Sequence, residues 1–202
     1  EYSNEVWNWV PAFKQTRWCL DQAEAIGHPL NYDGTDNLMV LMQRWKVKRS
    51  VEISLAFRDV FGDGHMMSRI RPVIGFQRGN MGVNKPILSF LSGWYGGNDP
   101  RSTFSNPKPP SWFIYGGGGT TYWHEDNGAN SSSIWESNDF AYQTFYDYIK
   151  GDAIATHGFG LKYLAYEGNH HPQAGRDYSD VFLDPRMKDE IIERSEEHTS
   201  EL

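Results

Sequence analysis

The apolar positions of the chain switch repeatedly between alternating and helical spacing, and each switch marks an element. Residues 1–8 read as the end of a buried strand running into a loop. From Trp9 to Ile26 the period becomes helical, with Trp9, Phe13, Leu20 and Ala23 near one face, Pro11 in the first turn and Gly27 as the stop. A loop from His28 to Thr35 leads to a long helix over 37–61. Its stripe is Leu38, Leu41, Met42, Trp45, Ile53, Ala56, Phe57 and Val60, and a bend is expected near Ser50. Lys46, Lys48, Arg49 and Arg58 read as its solvated face.

The second half continues the alternation. A strand is expected over 69–77, a short helix from Pro86 to Trp94, and a loop rich in Gly, Pro, Ser and Asn over 96–110. Ser111–Tyr115 reads as another strand, closed by Gly116–Gly119 as a flexible loop. A helix capped by Ser137 or Asn138 runs to about Thr156, and Leu161–Glu167 forms a strand ending in a glutamate. Asp184-Pro185 opens a last helix to Glu193. Strands alternating with helices predict an α/β fold with a parallel sheet covered by helices. Long loops follow the strands, as at the C-terminal face of a (β/α)₈ barrel, where such loops build the active site. A doubly wound open sheet is the alternative.

Composition narrows the function classes. The net charge of −7 argues against general nucleic-acid binding. No stretch of 18 apolar residues spans a membrane. The single cysteine, Cys19, forms no internal disulfide and no cysteine-based zinc site. His124, Glu125, His170 and His171 lack a metal-binding spacing such as HExxH, so no metal is expected. Gly116–Gly119 lacks the context of a phosphate-binding loop. The eight tryptophans fit a core, but aromatic faces also stack on sugars. Trp94, Trp112, Trp123 and Trp135 are candidate platforms, with Trp123 the best placed.

Two glutamates stand at strand ends, Glu5 after Asn4 and Glu167 before Gly168. Facing each other across a cleft, two carboxylates can divide the work of glycoside cleavage. An Asn-Glu pair at one strand end and a glutamate three strands later resembles the retaining glycoside hydrolases of clan A. That resemblance implies a partial (β/α)₈ barrel of about four parallel strands, from the end of strand four to helix seven. It makes Glu5 the acid/base, Asn4 the amide that binds a sugar hydroxyl, and Glu167 the nucleophile. Tyr115, Tyr122 and His124 become candidates for a residue that hydrogen-bonds the nucleophile, and Trp123 for a sugar platform.

The Ser3–Asn8 and Tyr166–Gly168 stretches are also similar to secreted bacterial proteins labelled cellulose-binding. The implied substrate is a β-linked poly- or oligosaccharide, with no cofactor, and the implied location is extracellular or periplasmic. The implied partner is the N-terminal half of the same barrel, expected before Glu1. Residues 1–193 are then the C-terminal half of a catalytic-type barrel, and such a fragment is expected to be inactive by itself. Residues 194–202 resemble a translated sequencing adapter and are expected to lie outside the fold. A barrel that binds polysaccharide without cleaving it is the competing reading.

Overall fold

The computed structural model describes residues 5–121, 146–168 and Pro185. Residues 5–121 and 148–167 belong to one compact unit. Its order is α1 (Lys14–Ile26), α2 (Leu38–Phe61), a 3₁₀ turn at Asp63–His65, β1 (Val73–Gly75), α3 (Met81–Phe90) and a π turn at Leu91–Tyr95. It continues with α4 (Pro110–Phe113), β2 (Gly116–Thr120), a helix whose described residues are 146–158 (α5), and β3 (Lys162–Glu167). The fold is mixed α/β around a three-stranded parallel sheet of order β1-β2-β3.

Helix α2 is the longest element and runs unbroken through Ser50. Asn37 caps it by accepting from the Met39 and Val40 amides at 3.0 and 3.3 Å, and Gly62, at φ 77°, ends it. Residues 41–47 are all buried, so this part of the helix is enclosed on every side. Small residues on α1 (Thr16, Cys19 and Ala23) allow close approach to α2, and Trp18 meets Trp45 edge to face.

The expected solvated face of α2 holds only in part. Lys48 and Arg49 pair with Glu52. Lys46 is 1% exposed, and Arg58 lies 3.6 Å from the Trp112 ring centroid and donates to the Trp112 carbonyl. The far end of the apolar stripe is instead open, with Phe57, Val60 and Phe61 exposed.

Arg44 is likewise drawn inward. It donates to the Leu30 carbonyl at 2.6 Å and grips the Asp33 carboxylate with both terminal nitrogens, at 2.7 and 2.5 Å. The loop between α1 and α2 is therefore fixed by a charge on α2. The hydrogen bond from Arg44 holds the Asp33 carboxyl below the usual carboxylate range, against the opposing effect of burial.

Several boundaries differ from those expected. α1 begins at Lys14 because residues 10–13 form turns, with Phe13 N bonded to Val10 O and Val10 N to the Asn8 side chain. β1 is only three residues long. Pro72 brings no N–H, and Gln77 leaves the sheet because the Asn84 side chain takes both its N–H and its carbonyl. α3 starts at Met81, where Asn80 accepts from Gly82 N, so Pro86 lies inside the helix and does not open it. Residues 110–113 are helical, with Pro110 in the first turn; the expected strand at Ser111–Tyr115 is absent.

The central strand is Gly116–Thr120, the segment expected to be a flexible loop. Its glycines are explained by what surrounds them. A Cβ on Gly116 would lie 2.5 Å from the Lys162 carbonyl oxygen, one on Gly117 would overlap the Phe76 ring, and one on Gly118 would overlap the Leu164 carbonyl. The β2 backbone fits between its neighbours only without side chains.

Register assigns the faces. Ile74, Gly117 and Tyr163 stand in one row, and Gly75, Gly118 and Leu164 in the next. Side chains alternate, so Ile74, Gly117, Gly119, Tyr163 and Ala165 share one face. Ile74 and the Phe76 that follows are 2% and 1% exposed, within the same core as Ile87, Leu88 and Leu91. The opposite face carries Val73, Gly116, Gly118, Lys162 and Leu164; Val73 and Leu164 are only half-buried and Lys162 is exposed.

Gly118→Ala should destabilise the chain by about 3 kcal/mol or more, because a backbone carbonyl must move. Gly117→Ala should cost about 1–2 kcal/mol, because only the Phe76 ring must shift. Urea titration of both variants checks that order. Asp33→Asn should cost about 2–3 kcal/mol at pH 7, the buried-pair range reduced for the partial exposure of Asp33. Asp33 is depressed in the folded chain, so its contribution is complete above the ordinary carboxylate pKa and disappears as pH falls through the folded value. The deficit of Asp33→Asn should therefore shrink at strongly acid pH when the same titration is repeated there.

Candidate functional site

The C-terminal ends of the parallel strands converge on one edge of the sheet. Glu167 is the last residue of β3 and is exposed there, as expected for that strand. Its carbonyl accepts from Thr121 N at 2.8 Å and from Thr121 Oγ1 at 3.5 Å, which ties it to the exit of β2.

The direction of Glu167 depends on an irregularity just before it. Gly119 pairs with Ala165, but Thr120 pairs with Glu167, so Tyr166 is an extra residue in β3. In a regular ladder Glu167 would share a face with the half-buried Tyr163 and the exposed Ala165. The bulge puts it in register with Thr120, on the face of Gly116 and Gly118. Bulges re-aim single side chains in this way, and here the side chain re-aimed is a carboxylate.

Glu5 is not in a strand among the described residues. It opens a turn in which its carbonyl accepts from Asn8 N at 2.8 Å and its Oε2 accepts from Asn8 Nδ2 at 2.9 Å. Its φ of 49° lies in the left-handed region, uncommon for a non-glycine residue. Thr16 Oγ1 donates to Asn8 O at 2.6 Å, so the turn folds back onto the start of α1. Val6 is fully buried, and the Trp7 ring lies 4.7 Å from Lys46 Nζ. Lys46 Nζ also donates to the carbonyl of Gly75, the last residue of β1, at 2.6 Å. The Glu5 turn is thus linked to the C-terminal end of β1.

Tyr115 is not brought to this edge. It precedes β2, donates its N–H to Pro72 O, and accepts from Lys162 N at 3.1 Å, at the entry of β3 opposite Glu167. The Arg71 guanidinium lies 5.1 Å from its ring centroid. Its placement at the end of a strand failed because 111–115 is not that strand. Trp94 is 6% exposed in the core, and Trp112 is covered by Arg58, so neither offers a free sugar platform. Asn4, Tyr122, Trp123 and His124 lie outside the described residues, as do Glu125, Trp135, His170 and His171. Among the described residues no three His, Cys, Asp or Glu side chains gather as metal ligands, and no helix is long and apolar enough to cross a membrane.

A polar clasp at the exit of β1 was not anticipated. Asp152 of α5 is 2% exposed and accepts from Gly79 N at 2.7 Å and from Asn84 Nδ2 at 3.1 Å. Burial pushes its carboxyl upward, against those two hydrogen bonds and the charge of Arg78. The nearby Tyr163 phenol is pushed up to about 12, chiefly by burial and then by the Asp152 charge. The clasp holds residues 77–80 in place beside the end of β2. One signal was present in the sequence: Asp152 falls three residues after Ile149 and four before Thr156, on the inward side of its helix.

The chain matches no family model, no curated protein and no solved structure.

Proposed function

We propose that this chain is the C-terminal half of a (β/α)₈ barrel and carries the two carboxylates of a retaining glycoside hydrolase acting on β-linked poly- or oligosaccharide. The observation that carries the reading is the bulge that brings Glu167 into register with Thr120, on the face of Gly116 and Gly118, at the C-terminal end of a parallel strand. The three strands at 73–75, 116–120 and 162–167 stand side by side in chain order, as strands five, six and seven of such a barrel would.

In this reading Glu167 attacks the anomeric carbon while Glu5 gives a proton to the leaving oxygen. Glu5 then takes a proton from the water that releases the sugar from Glu167. Asn8, which donates to the Glu5 carboxylate, fixes the direction of that group. The same hydrogen bond favours the second reading, a barrel that binds polysaccharide without cleaving it, because it occupies an oxygen of the proposed acid.

The test is hydrolysis of aryl β-glycosides and β-linked oligosaccharides by this chain and by any longer gene product that contains it. Glu167→Gln should lower kcat by about 10⁴-fold or more, and Glu5→Gln by about 10²–10⁴-fold on substrates with poor leaving groups. Azide should restore turnover to Glu167→Ala and give a glycosyl azide of configuration opposite to the substrate. Azide with Glu5→Ala should give the retained configuration. Glycan binding without turnover, unchanged by Glu5→Gln, would overturn the catalytic reading in favour of the binding one.

A further inference from the structure

We infer that Lys46 is a positioning residue: it holds the Glu5–Asn8 turn against the edge of β1 away from β2 and so sets where the Glu5 carboxyl stands relative to the strand ends. The role given to Glu5 rests on the glycosidase reading; the tether itself rests only on geometry.

Lys46 lies in the run 41–47 that is buried throughout, and is itself 1% exposed. An ammonium in a core is costly unless its partners are well placed, and a methionine would fill the same volume without that cost. The lysine therefore calls for an explanation that packing does not supply. Its Nζ meets two separate parts of the chain, the Gly75 carbonyl at 2.6 Å and the Trp7 ring at 4.7 Å.

The Gly75 carbonyl is a particular acceptor. Phe76 N bonds to Gly118 O, so residues 74 and 76 direct their backbone groups toward β2. Backbone polarity alternates along a strand, and Gly75 therefore points its carbonyl off the opposite edge of β1. Lys46 covers an edge acceptor that no strand among the described residues takes. By holding Trp7 on the same charge, it places the turn beyond β1 on the side away from β2.

The turn is tied together by its own hydrogen bonds. Asn8 bonds both the Glu5 carbonyl and the Glu5 carboxylate, and Thr16 bonds Asn8 O. Val6 is buried and anchors it through apolar contact, which gives attachment without direction. The ammonium, which donates to the Gly75 carbonyl and stands over the Trp7 ring, supplies direction.

The experiment uses Lys46→Met and Lys46→Arg in this chain, with hydrogen exchange read at the Asn8 amide, and the same variants in the longest hydrolytically competent gene product. Lys46→Met should keep a urea midpoint at or above the parent value while the Asn8 amide exchanges about tenfold faster. Its kcat should fall about 10²-fold with KM within about twofold, as expected when a reacting group is displaced by an ångström or so. Lys46→Arg should recover part of both effects. Trp7→Ala, which leaves the lysine in place, should reproduce the faster exchange and carries the test if Lys46→Met does not fold. Unchanged Asn8 exchange in a folded Lys46→Met or Trp7→Ala variant overturns the tether. Faster exchange with an unchanged kcat overturns the positioning role. If the parent protein hydrolyses no glycan, it is the glycosidase reading that falls, and the exchange measurement still decides the tether.

Discussion

The close approach of three backbones at β2 is the constraint on which the rest of the unit depends. Phe76, from the exit of β1, lies across Gly117, and the Lys162 and Leu164 carbonyls of β3 fill the space where side chains of Gly116 and Gly118 would stand. Glycine in a strand normally weakens it, because the unfolded chain has more freedom to lose. Here that cost is offset by geometry no other residue permits. Phe76 enters the helix-covered core through the space left above Gly117, and β3 is drawn in against β2 from the other side. The core is built on the absence of a side chain at Gly117, and the close pairing of β2 with β3 on the same absence at Gly116 and Gly118.

That tight pairing also explains where β3 gives way. From Gly116 to Gly119 the two strands keep strict register, one residue to one residue. At Thr120 the glycine run ends, a side chain returns, and β3 accommodates it with an extra residue at Tyr166. The shift moves Glu167 to the face of Gly116 and Gly118. A one-residue change of register transfers every later side chain to the other face, so the end of the strand can present a carboxylate while its middle packs a tyrosine inward. The change of direction at the proposed site thus follows from the step between glycine and threonine in the neighbouring strand.

Sequence patterning found the elements whose period was long or clean. The end of α2 was legible because Gly62 stops a long helical period, though Asp36 or Thr35 reads as its cap and the structure gives that place to Asn37; β3 was legible because Lys162–Glu167 is rich in strand-forming residues. The central strand was missed because a run of glycine carries no hydrophobic period; the information lies in Phe76 and Leu164, distant in sequence. The neighbouring Trp112-Phe113-Ile114 has the stronger strand composition, but Pro109-Pro110 starts a helical turn there and Tyr115 enters β2 from the far end. Glu167 could be singled out because a strand-terminal glutamate followed by glycine is visible locally. Its direction could not, since a bulge is a property of two strands. Lys46 read as solvent-facing because charge is the default sign of exposure, and α2 is enclosed on all sides at that turn.

Lys46, Arg44, Asn84 and Asp152 are buried polar side chains with one habit in common. Each reaches from a helix to a stretch of chain that has left regular structure: Lys46 to the end of β1, Arg44 to the loop after Leu30, and Asn84 with Asp152 to residues 77–79. A buried backbone group without a ladder partner must find another, and a side chain from an already rigid helix satisfies it at little further loss of entropy. The loops at this edge of the sheet are thereby held by polar bonds of defined length and direction, where apolar contacts alone would let them slide. Elsewhere the core is chiefly apolar, from Val47 to Phe113, with Ser54 donating to the Phe113 carbonyl at 2.5 Å among its polar exceptions.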